Sequence, residues 1–212
     1  MEFTPRLTVS IPCWGRPKRT QRAIEAILNQ DTHGWEALIT GDHCPHFQKL
    51  MDSGWLGQKA QLALDGGNSL VYSNLPDRMG ACGYYITNQN IKQAKGKYII
   101  FYANDDLILP DHFSNYLEIE NTDWDYMYFD SYLGPLKQPR VSQLAPSRIG
   151  HSEIIVRTSL AQKARPHQPK YGHDWEFIYD VIHNGKGVKS ESKKTTYHVM
   201  HVPNYGTVDK ID

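Results

Sequence analysis

Apolar residues along the chain alternate between short continuous runs and stripes with helical spacing. Residues 97–102 are nearly all apolar, as expected of a strand that is buried on both faces. By contrast, Ala23, Ile24 and Ile27 mark one face of a helix. In the first half the pattern predicts strands at 6–11, 35–40, 69–73 and 97–102, helices at 20–30 and 82–95, and a helix with an irregular connection within 43–68.

The second half of the chain continues the alternation. It predicts helices at 110–119 and 174–183, strands at 124–129, 154–157 and 195–200, and a loop or strand pair at 134–147. Alternating strands and helices are typical of a mostly parallel sheet with helices on both faces. We therefore predict an α/β fold in a single domain over 1–212, with 202–212 as a tail that acts as a lid or arm.

Polar clusters follow three of the predicted strands, at 12–16, 41–43 and 104–106. In parallel sheets, ligands bind beyond the carboxyl ends of the strands. The sequence therefore predicts a ligand site at this edge of the sheet.

Composition narrows the classes of function. Lys and Arg together number 23, as do Asp and Glu, so the basic excess of a nucleic-acid-binding protein is missing. The 3 cysteines show no spacing typical of a disulfide framework or a zinc site. The first residues lack a secretory pattern, and no apolar run reaches membrane-spanning length. We expect a cytoplasmic protein without a transmembrane segment.

Asp105 and Asp106 are the strongest local signal of chemistry. Two adjacent carboxylates directly follow a buried strand, and Mg²⁺ or Mn²⁺ commonly bridges such oxygens to substrate phosphates. The competing interpretation is a plain turn, since Asn and Asp favour turns. Taken alone, the motif does not decide between them.

Two further aspartates are candidates for a site. Asp42 ends a predicted strand, where it could accept a hydrogen bond from the N–H edge of uracil or guanine, or belong to a common turn. Asp174 opens a predicted helix and is either a general base for an attacking hydroxyl or a helix cap. His198 and His201 are possible metal ligands. Their spacing on a strand would direct at most one of them into a site.

In combination these residues resemble a known family. Residues 9–17, 22–30, 36–42 and 88–98 are similar to the opening strands and helices of the family 2 inverting glycosyltransferases of GT-A fold, including the spore-coat-polysaccharide type. The resemblance runs from about residue 8 to residue 201. It implies a GT-A (Rossmann-like) domain in which about 1–106 bind the nucleotide and about 107–201 face the acceptor.

The resemblance also implies a hexosyltransferase reaction with a nucleotide-diphosphate sugar, most simply a UDP-sugar, as donor and a hydroxyl as acceptor. Mn²⁺ or Mg²⁺ is the implied cofactor, and no nucleic acid is implied as a partner. The resemblance implies that Asp174 is the catalytic base. It implies that Asp106 holds the metal, that Asp105 contacts the ribose or the metal, and that His201, or else His198, completes the metal site. Pro12, Trp14 and Asp42 are implied to form the base pocket, and His151 to lie on the acceptor side.

Some positions depart from the family pattern or stay open. Gly15 stands where Asn is usual, and Thr87 where a base-contacting Arg is frequent. Arg78 is either a phosphate ligand or a surface charge.

The chain is short for the family, so we expect an acceptor side that is open or is closed by a partner or the tail. The alternative function is a non-catalytic nucleotide-sugar-binding module of the same fold.

Overall fold

The structure is a computed structural model that describes residues 3–80, 83–117, 123–168, 173–190, 196–202 and 206–207. At 116, 173, 201, 202, 206 and 207 the description covers the backbone alone. The predicted tail, 202–212, therefore falls mostly outside the described residues.

A seven-stranded sheet forms the centre of the molecule, with strand order β10-β6-β9-β4-β1-β2-β3. Its strands are β1 (Leu7–Cys13), β2 (Trp35–Gly41), β3 (Ser69–Asn74), β4 (Tyr98–Phe101), β6 (Tyr126–Tyr128), β9 (Ile154–Arg157) and β10 (Gly187–Lys189). The pairs β1–β2, β1–β4, β2–β3 and β10–β6 are parallel, whereas β9 runs antiparallel to both β4 and β6. The predicted mostly parallel sheet is thus confirmed, and β9 is the reversed strand.

Helices cover both faces of this sheet, as predicted. They are α1 (Pro17–Leu28), α2 (Pro45–Asp52), α3 (Trp55–Asp65), α4 (Tyr84–Gln93), α5 (Ser114–Leu117), α6 (Thr158–Ala161) and α7 (His173–Asn184). One core cluster contains Ile24 of α1 and Phe47 of α2, and a second contains Ile91 of α4 and Phe177 of α7. No helix within the described residues has both the length and the apolar character needed to cross a membrane.

Two smaller sheets complete the fold. A four-stranded sheet has the order β5-β11-β7-β8, from β5 (Leu107–Ile108), β7 (Ser131–Leu133), β8 (Gln138–Arg140) and β11 (Tyr197–Val199). The pair β12 (His201–Val202) and β13 (Gly206–Thr207) is antiparallel. The sequence pattern predicted a last strand at 195–200, where β11 lies, and a loop or strand pair at 134–147, which contains β8 but not β7. It did not predict that these strands join in one sheet.

The helix predicted at 110–119 begins later than expected. Within the described residues, which break off at 117 and resume at 123, the structure places α5 at Ser114–Leu117. The reason is a competing set of hydrogen bonds from Gln30. Its side-chain amide donates to the carbonyl of Leu109 at 2.8 Å and accepts from the N–H of Phe113 at 3.0 Å. The backbone before Ser114 is therefore held in a turn against α1.

Candidate functional site

A cavity of about 430 Å³ lies at the carboxyl ends of β1, β2 and β4, where the polar clusters predicted a ligand site. Several of the predicted site residues line it together: Pro12, Trp14, Asp42, Arg78, Asp105 and His151. We call Pro12, Trp14, Asp42 and Arg78 the donor wall.

Trp14 and Arg78 meet at the mouth of the cavity. The guanidinium carbon of Arg78 lies 3.8 Å from the centroid of the Trp14 ring. Trp14 is 43% exposed, although it directly follows the buried strand β1. The chain turns out there because Gly15 and Arg16 both adopt positive φ, of 59° and 47°. A flat aromatic face beside a cation is suited to a planar, anionic ligand.

Asp42 is buried at the end of β2, with 3% of its surface exposed. Its two carboxylate oxygens accept hydrogen bonds from the backbone N–H groups of Met79 and Gly80, at 2.6 and 2.8 Å. The carboxylate therefore lies in the cavity wall with N–H donors as its partners. An imide N–H of a base is chemically the same kind of donor. The predicted contact of Asp42 with a nucleotide base stays a prediction.

Asp105 and Asp106 point in different directions. Asp105 lines the cavity, and its side chain pairs with the guanidinium of Arg16. Asp106 is 6% exposed. Its Oδ2 accepts from the Tyr197 hydroxyl at 2.7 Å and its Oδ1 from the N–H of Met200 at 2.8 Å. Burial raises the pKa of Asp106 to about 6, although these two hydrogen bonds lower it.

The predicted metal role of Asp106 stays a prediction. Both of its oxygens accept hydrogen bonds from residues in or just after β11, and its side chain is not among the described residues that line the cavity. Neighbouring Asn104 does line the cavity, and its amide donates to the Thr20 hydroxyl at 2.8 Å. Asp105 is the carboxylate of this turn that faces the cleft.

Asp174, the predicted base, lies in the first turn of α7 and meets two histidines. Its Oδ1 is 2.6 Å from Nδ1 of His151 and 3.9 Å from Nδ1 of His167. We call these three residues the histidine wall. Their ligand atoms all lie within 4.8 Å of one another, so the group is also a candidate cation site. An acidic residue in the first turn is favoured by the positive end of the helix dipole.

His151 connects the histidine wall with the cavity. Its ring lines the cavity, while its Nδ1 contacts Asp174. Burial disfavours the charged imidazole, but Asp174 and its hydrogen bond, with smaller effects of Asp106 and Glu153, raise the pKa of His151 above its usual value. The imidazole of His151, which can donate or accept a proton, therefore belongs to the same cavity lining as Asp105.

Of the two predicted histidine ligands, the structure describes only the side chain of His198. His198 lies in β11, where its ring is 5.0 Å from the ring of Tyr132, and it is not among the described residues that line the cavity. The side chain of His201 lies outside the described residues, so its metal role stays a prediction. Thr87 is buried inside α4, and its hydroxyl donates to the carbonyl of Gly83 at 3.2 Å. It therefore bonds back to the carbonyl at the start of that helix.

Two residues of the site were missed by the sequence interpretation. Arg16 was noted only as part of a polar cluster, yet it pairs with Asp105. His167 was not noted, although its ring is fully buried and stacks on Phe177 with centroids 4.6 Å apart. A histidine between Pro166 and Pro169 in a polar stretch is a weak signal, and nothing in its spacing links it to Asp174.

Comparison with known proteins finds glycosyltransferases that resemble this chain in part of its sequence and in its fold. No family model matches the chain. WcaA of Escherichia coli (strain K12), named as a colanic acid biosynthesis glycosyl transferase, is 30% identical over 117 residues, which is 55% of this chain and 38% of WcaA. The chain thus spans well under half the length of this relative.

Solved structures share the fold over most of the chain. TarS of S. aureus (residues 1–349) superposes with a TM-score of 0.71 at 18% identity, covering 92% of this chain and 60% of TarS. A complex of TarS with UDP-GlcNAc gives a TM-score of 0.70.

A mannosyltransferase of Pyrobaculum calidifontis, in complex with GDP-Man and Mn²⁺, gives a TM-score of 0.69 at 13% identity, covering 95% of this chain and 59% of that one. Membership of family 2 stays a prediction. The fold, together with the partial sequence match, confirms the resemblance to the glycosyltransferases.

Proposed function

We propose that the chain is an inverting glycosyltransferase that moves a sugar from a nucleotide-diphosphate donor, most simply a UDP-sugar, to a hydroxyl acceptor. One observation carries the proposal. A single cavity at the carboxyl ends of the parallel strands brings together Asp42, Arg78, Asp105 and His151, with Asp174 directly behind His151. Solved proteins of the same fold bind UDP-GlcNAc or GDP-Man, which supports this donor class.

The donor wall would hold the nucleotide. Trp14, which is 43% exposed, would stack on the base or sugar, and Asp42 would accept the base N–H. Arg78 lies over Trp14, where its guanidinium could pair with a phosphate. Its position on the cavity favours the phosphate role over that of a surface charge.

Asp105 would hold the divalent cation. Its carboxylate faces the cavity, where it pairs with the guanidinium of Arg16, and a bound cation would replace that guanidinium as its partner. One or two carboxylates plus substrate phosphates are the usual ligands of Mg²⁺. Asp105 therefore fits a cation that is held jointly by the protein and the donor. When bound, the cation neutralises charge on the departing diphosphate.

The acceptor hydroxyl would attack the anomeric carbon from the face opposite the diphosphate. Because the new bond forms opposite the breaking one, the configuration inverts. The reacting sugar develops oxocarbenium character, as in other glycosyl chemistry. The Asp174–His151 pair takes the hydroxyl proton, since it is a hydrogen-bonded acid–base couple on the cavity wall.

A donor screen tests the proposal directly. The chain is incubated with UDP-glucose, UDP-galactose, UDP-GlcNAc and GDP-mannose plus Mn²⁺, and products are followed by mass spectrometry, with water as the default acceptor. We expect release of the nucleotide from at least one donor. Asp105→Asn should lower turnover by about 100-fold or more, since it removes a charge used in the transition state.

The matched control is Asp123→Asn. The side chain of Asp123 is 93% exposed and pairs with Lys186 away from the cavity. This variant should turn over the donor like the wild type. If no donor binds or reacts, or if Asp105→Asn reacts at the wild-type rate, the proposed function is wrong.

A nucleotide-sugar-binding module without turnover is the second candidate. It is favoured by the bonding of both Asp42 oxygens to the chain itself and by the departures from the family pattern at Gly15 and Thr87. Such a protein would be stabilised against heat by UDP with Mn²⁺, because ligands that bind only the native state raise stability. It would release no nucleotide, and Asp174→Asn would change no rate.

A further inference from the structure

The histidine wall assigns a more specific chemistry to the proposed transferase. We infer that His151 is the group that takes the proton from the acceptor hydroxyl, and that Asp174 acts behind it by orienting the ring and stabilising its charged form. This inference rests on the proposed function, since it concerns the same reaction.

The positions of the two side chains are the first observation. His151 is among the residues that line the cavity, whereas Asp174 is not among the described lining residues. Nδ1 of His151 lies 2.6 Å from Oδ1 of Asp174. The two nitrogens of an imidazole lie on different sides of the ring, so Nε2 is directed away from the carboxylate. Among the described residues, His151 is therefore the member of the pair that borders the cavity.

The surroundings fix the ring in this orientation. Phe101 presents its ring to His151 edge-on at 5.3 Å between centroids, with 75° between the planes. His167 lies 5.5 Å from His151 and is itself stacked on Phe177. The backbone N–H of His167 donates to Oδ1 of Asn88 at 2.8 Å, and the Asn88 amide donates back to the His167 carbonyl at 2.9 Å.

The same contacts favour a proton relay over a zinc site. Ligands of one tetrahedral zinc lie at about 2.0–2.1 Å from the metal, which separates them from each other by about 3.3 Å. The 2.6 Å between His151 and Asp174 is shorter than that and matches a charge-assisted hydrogen bond. The pair is therefore arranged to share a proton.

Electrostatics supports this arrangement. The groups that face His151 are Asp174 on α7, His167 on the segment before it, and the more distant Asp106 and Glu153. Although burial opposes charge on the ring, the three carboxylates raise the pKa of His151 above its usual 6.5. A base with a raised pKa binds the hydroxyl proton more strongly.

The step balances without any further reactant. The acceptor O–H bond breaks, and its proton moves to Nε2 of His151. The acceptor oxygen forms a bond with the anomeric carbon. The bond from that carbon to the diphosphate oxygen breaks, and its electron pair leaves with the diphosphate. The proton on Nδ1 stays between the ring and Asp174, and the imidazolium then loses its extra proton to solvent.

The pH dependence of kcat/KM tests the inference. The wild type should gain activity as the pH rises through a value above 6.5, because only the neutral imidazole accepts a proton. His151→Asn should lower kcat by about 100- to 10,000-fold with little change in donor KM, and this titration should disappear. Asp174→Asn should lower kcat and move the titration to lower pH. His183→Asn is the matched control, because His183 is exposed near the other end of α7.

Direct catalysis by Asp174 would give the opposite pattern. His151→Asn would keep most of the activity, and kcat/KM would rise near pH 4, where carboxylates ordinarily titrate. NMR of ¹⁵N-labelled histidine separates this failure from a failure of the proposed function. The pKa of His151 should lie above 6.5 in the wild type and fall in Asp174→Asn, whether or not any donor reacts. A His151 pKa that is unaffected by Asp174→Asn overturns the inference.

Discussion

The donor wall and the histidine wall face the same cavity but are built in different ways. The donor wall comes from β1, β2 and the segment after β3, strands that pair side by side in parallel register. The histidine wall depends on side-chain contacts between segments that are not neighbouring strands. His151 contacts Asp174 across 23 positions of the chain, and Asn88 is bonded to the backbone of His167 across 79.

Asp105 and Asp106 are adjacent in the sequence but have different surroundings. Asp105 belongs to the cleft, whereas Asp106 joins the turn after β4 to the four-stranded sheet. Adjacent carboxylates in one motif therefore do different work. Asp105 lines the cavity, and Asp106 holds the turn after β4 to Tyr197 and Met200.

The largest loss of stability is expected from Gly96→Ala, because Gly96 packs against the parallel strand β1. An added Cβ would lie 2.5 Å from the backbone nitrogen of Thr8 and 2.6 Å from the carbonyl carbon of Leu7. Because β1 is a central strand, neither atom can move easily. We expect urea denaturation to show a loss of about 3–5 kcal/mol in the free energy of unfolding, or failure to fold.

Gly57→Ala is the control for this prediction. An added Cβ at Gly57 would lie 3.6 Å from the Tyr72 hydroxyl, an ordinary contact, and within α3 alanine favours the helix by about 0.5–1 kcal/mol. A Gly96→Ala protein as stable as Gly57→Ala would mean that β1 is less constrained than the sheet register indicates.

Asp106→Ala should lower the free energy of unfolding by about 2–4 kcal/mol, because it leaves the buried N–H of Met200 and the hydroxyl of Tyr197 without their acceptor. Asp106→Asn should cost less, since an amide can accept from Met200 and donate to Tyr197. Thermal unfolding of the three proteins at one pH measures the order. Equal melting temperatures for wild type and Asp106→Ala would contradict the structural role.

The pH dependence of stability should carry the signature of His112. Burial lowers its pKa to about 3, so below pH 6.5 the unfolded chain binds a proton that the native state refuses. Stability from this group is complete above pH 6.5 and is lost as the pH falls, by about 2 kcal/mol at pH 5. Asp106, with its pKa raised to about 6, has the opposite effect, favouring the native state as the pH falls through 6.

The difference between wild type and His112→Gln isolates the histidine, because Asp106 contributes to both proteins. We expect the melting temperature of the variant to fall less between pH 7 and pH 5. Parallel curves for the two proteins would show that His112 does not stay neutral in the native state.

The smallest effect is expected at the exposed edge of the donor wall. Trp14→Ala should raise the Kd for UDP by about 5- to 10-fold through loss of stacking, which is worth about 1 kcal/mol. Stability should change little, since the side chain is 43% exposed. Isothermal titration calorimetry measures the affinity, and Trp14→Phe should recover most of it. Equal affinities for wild type and Trp14→Ala would remove Trp14 from the base pocket.

Sequence reasoning was most successful where structure depends on neighbours in the chain. The runs at 35–40 and 97–102 became β2 and β4, and the polar residues that follow them meet at one cavity. It was less successful where one segment competes with another. Gln30 holds the residues before Ser114 in a turn, so α5 begins later than predicted. The spacing of apolar residues near residue 110 does not indicate this contact.

The sequence by itself determined the alternation of strands and helices and the edge of the sheet where polar groups collect, because both follow from local periodicity and from the common direction of parallel strands. Only the tertiary structure decided that Asp105 faces the cleft while Asp106 does not, and that His151, His167 and Asp174 meet. These facts depend on packing between segments far apart in the chain. The residue types allow either outcome, and only the folded chain selects one.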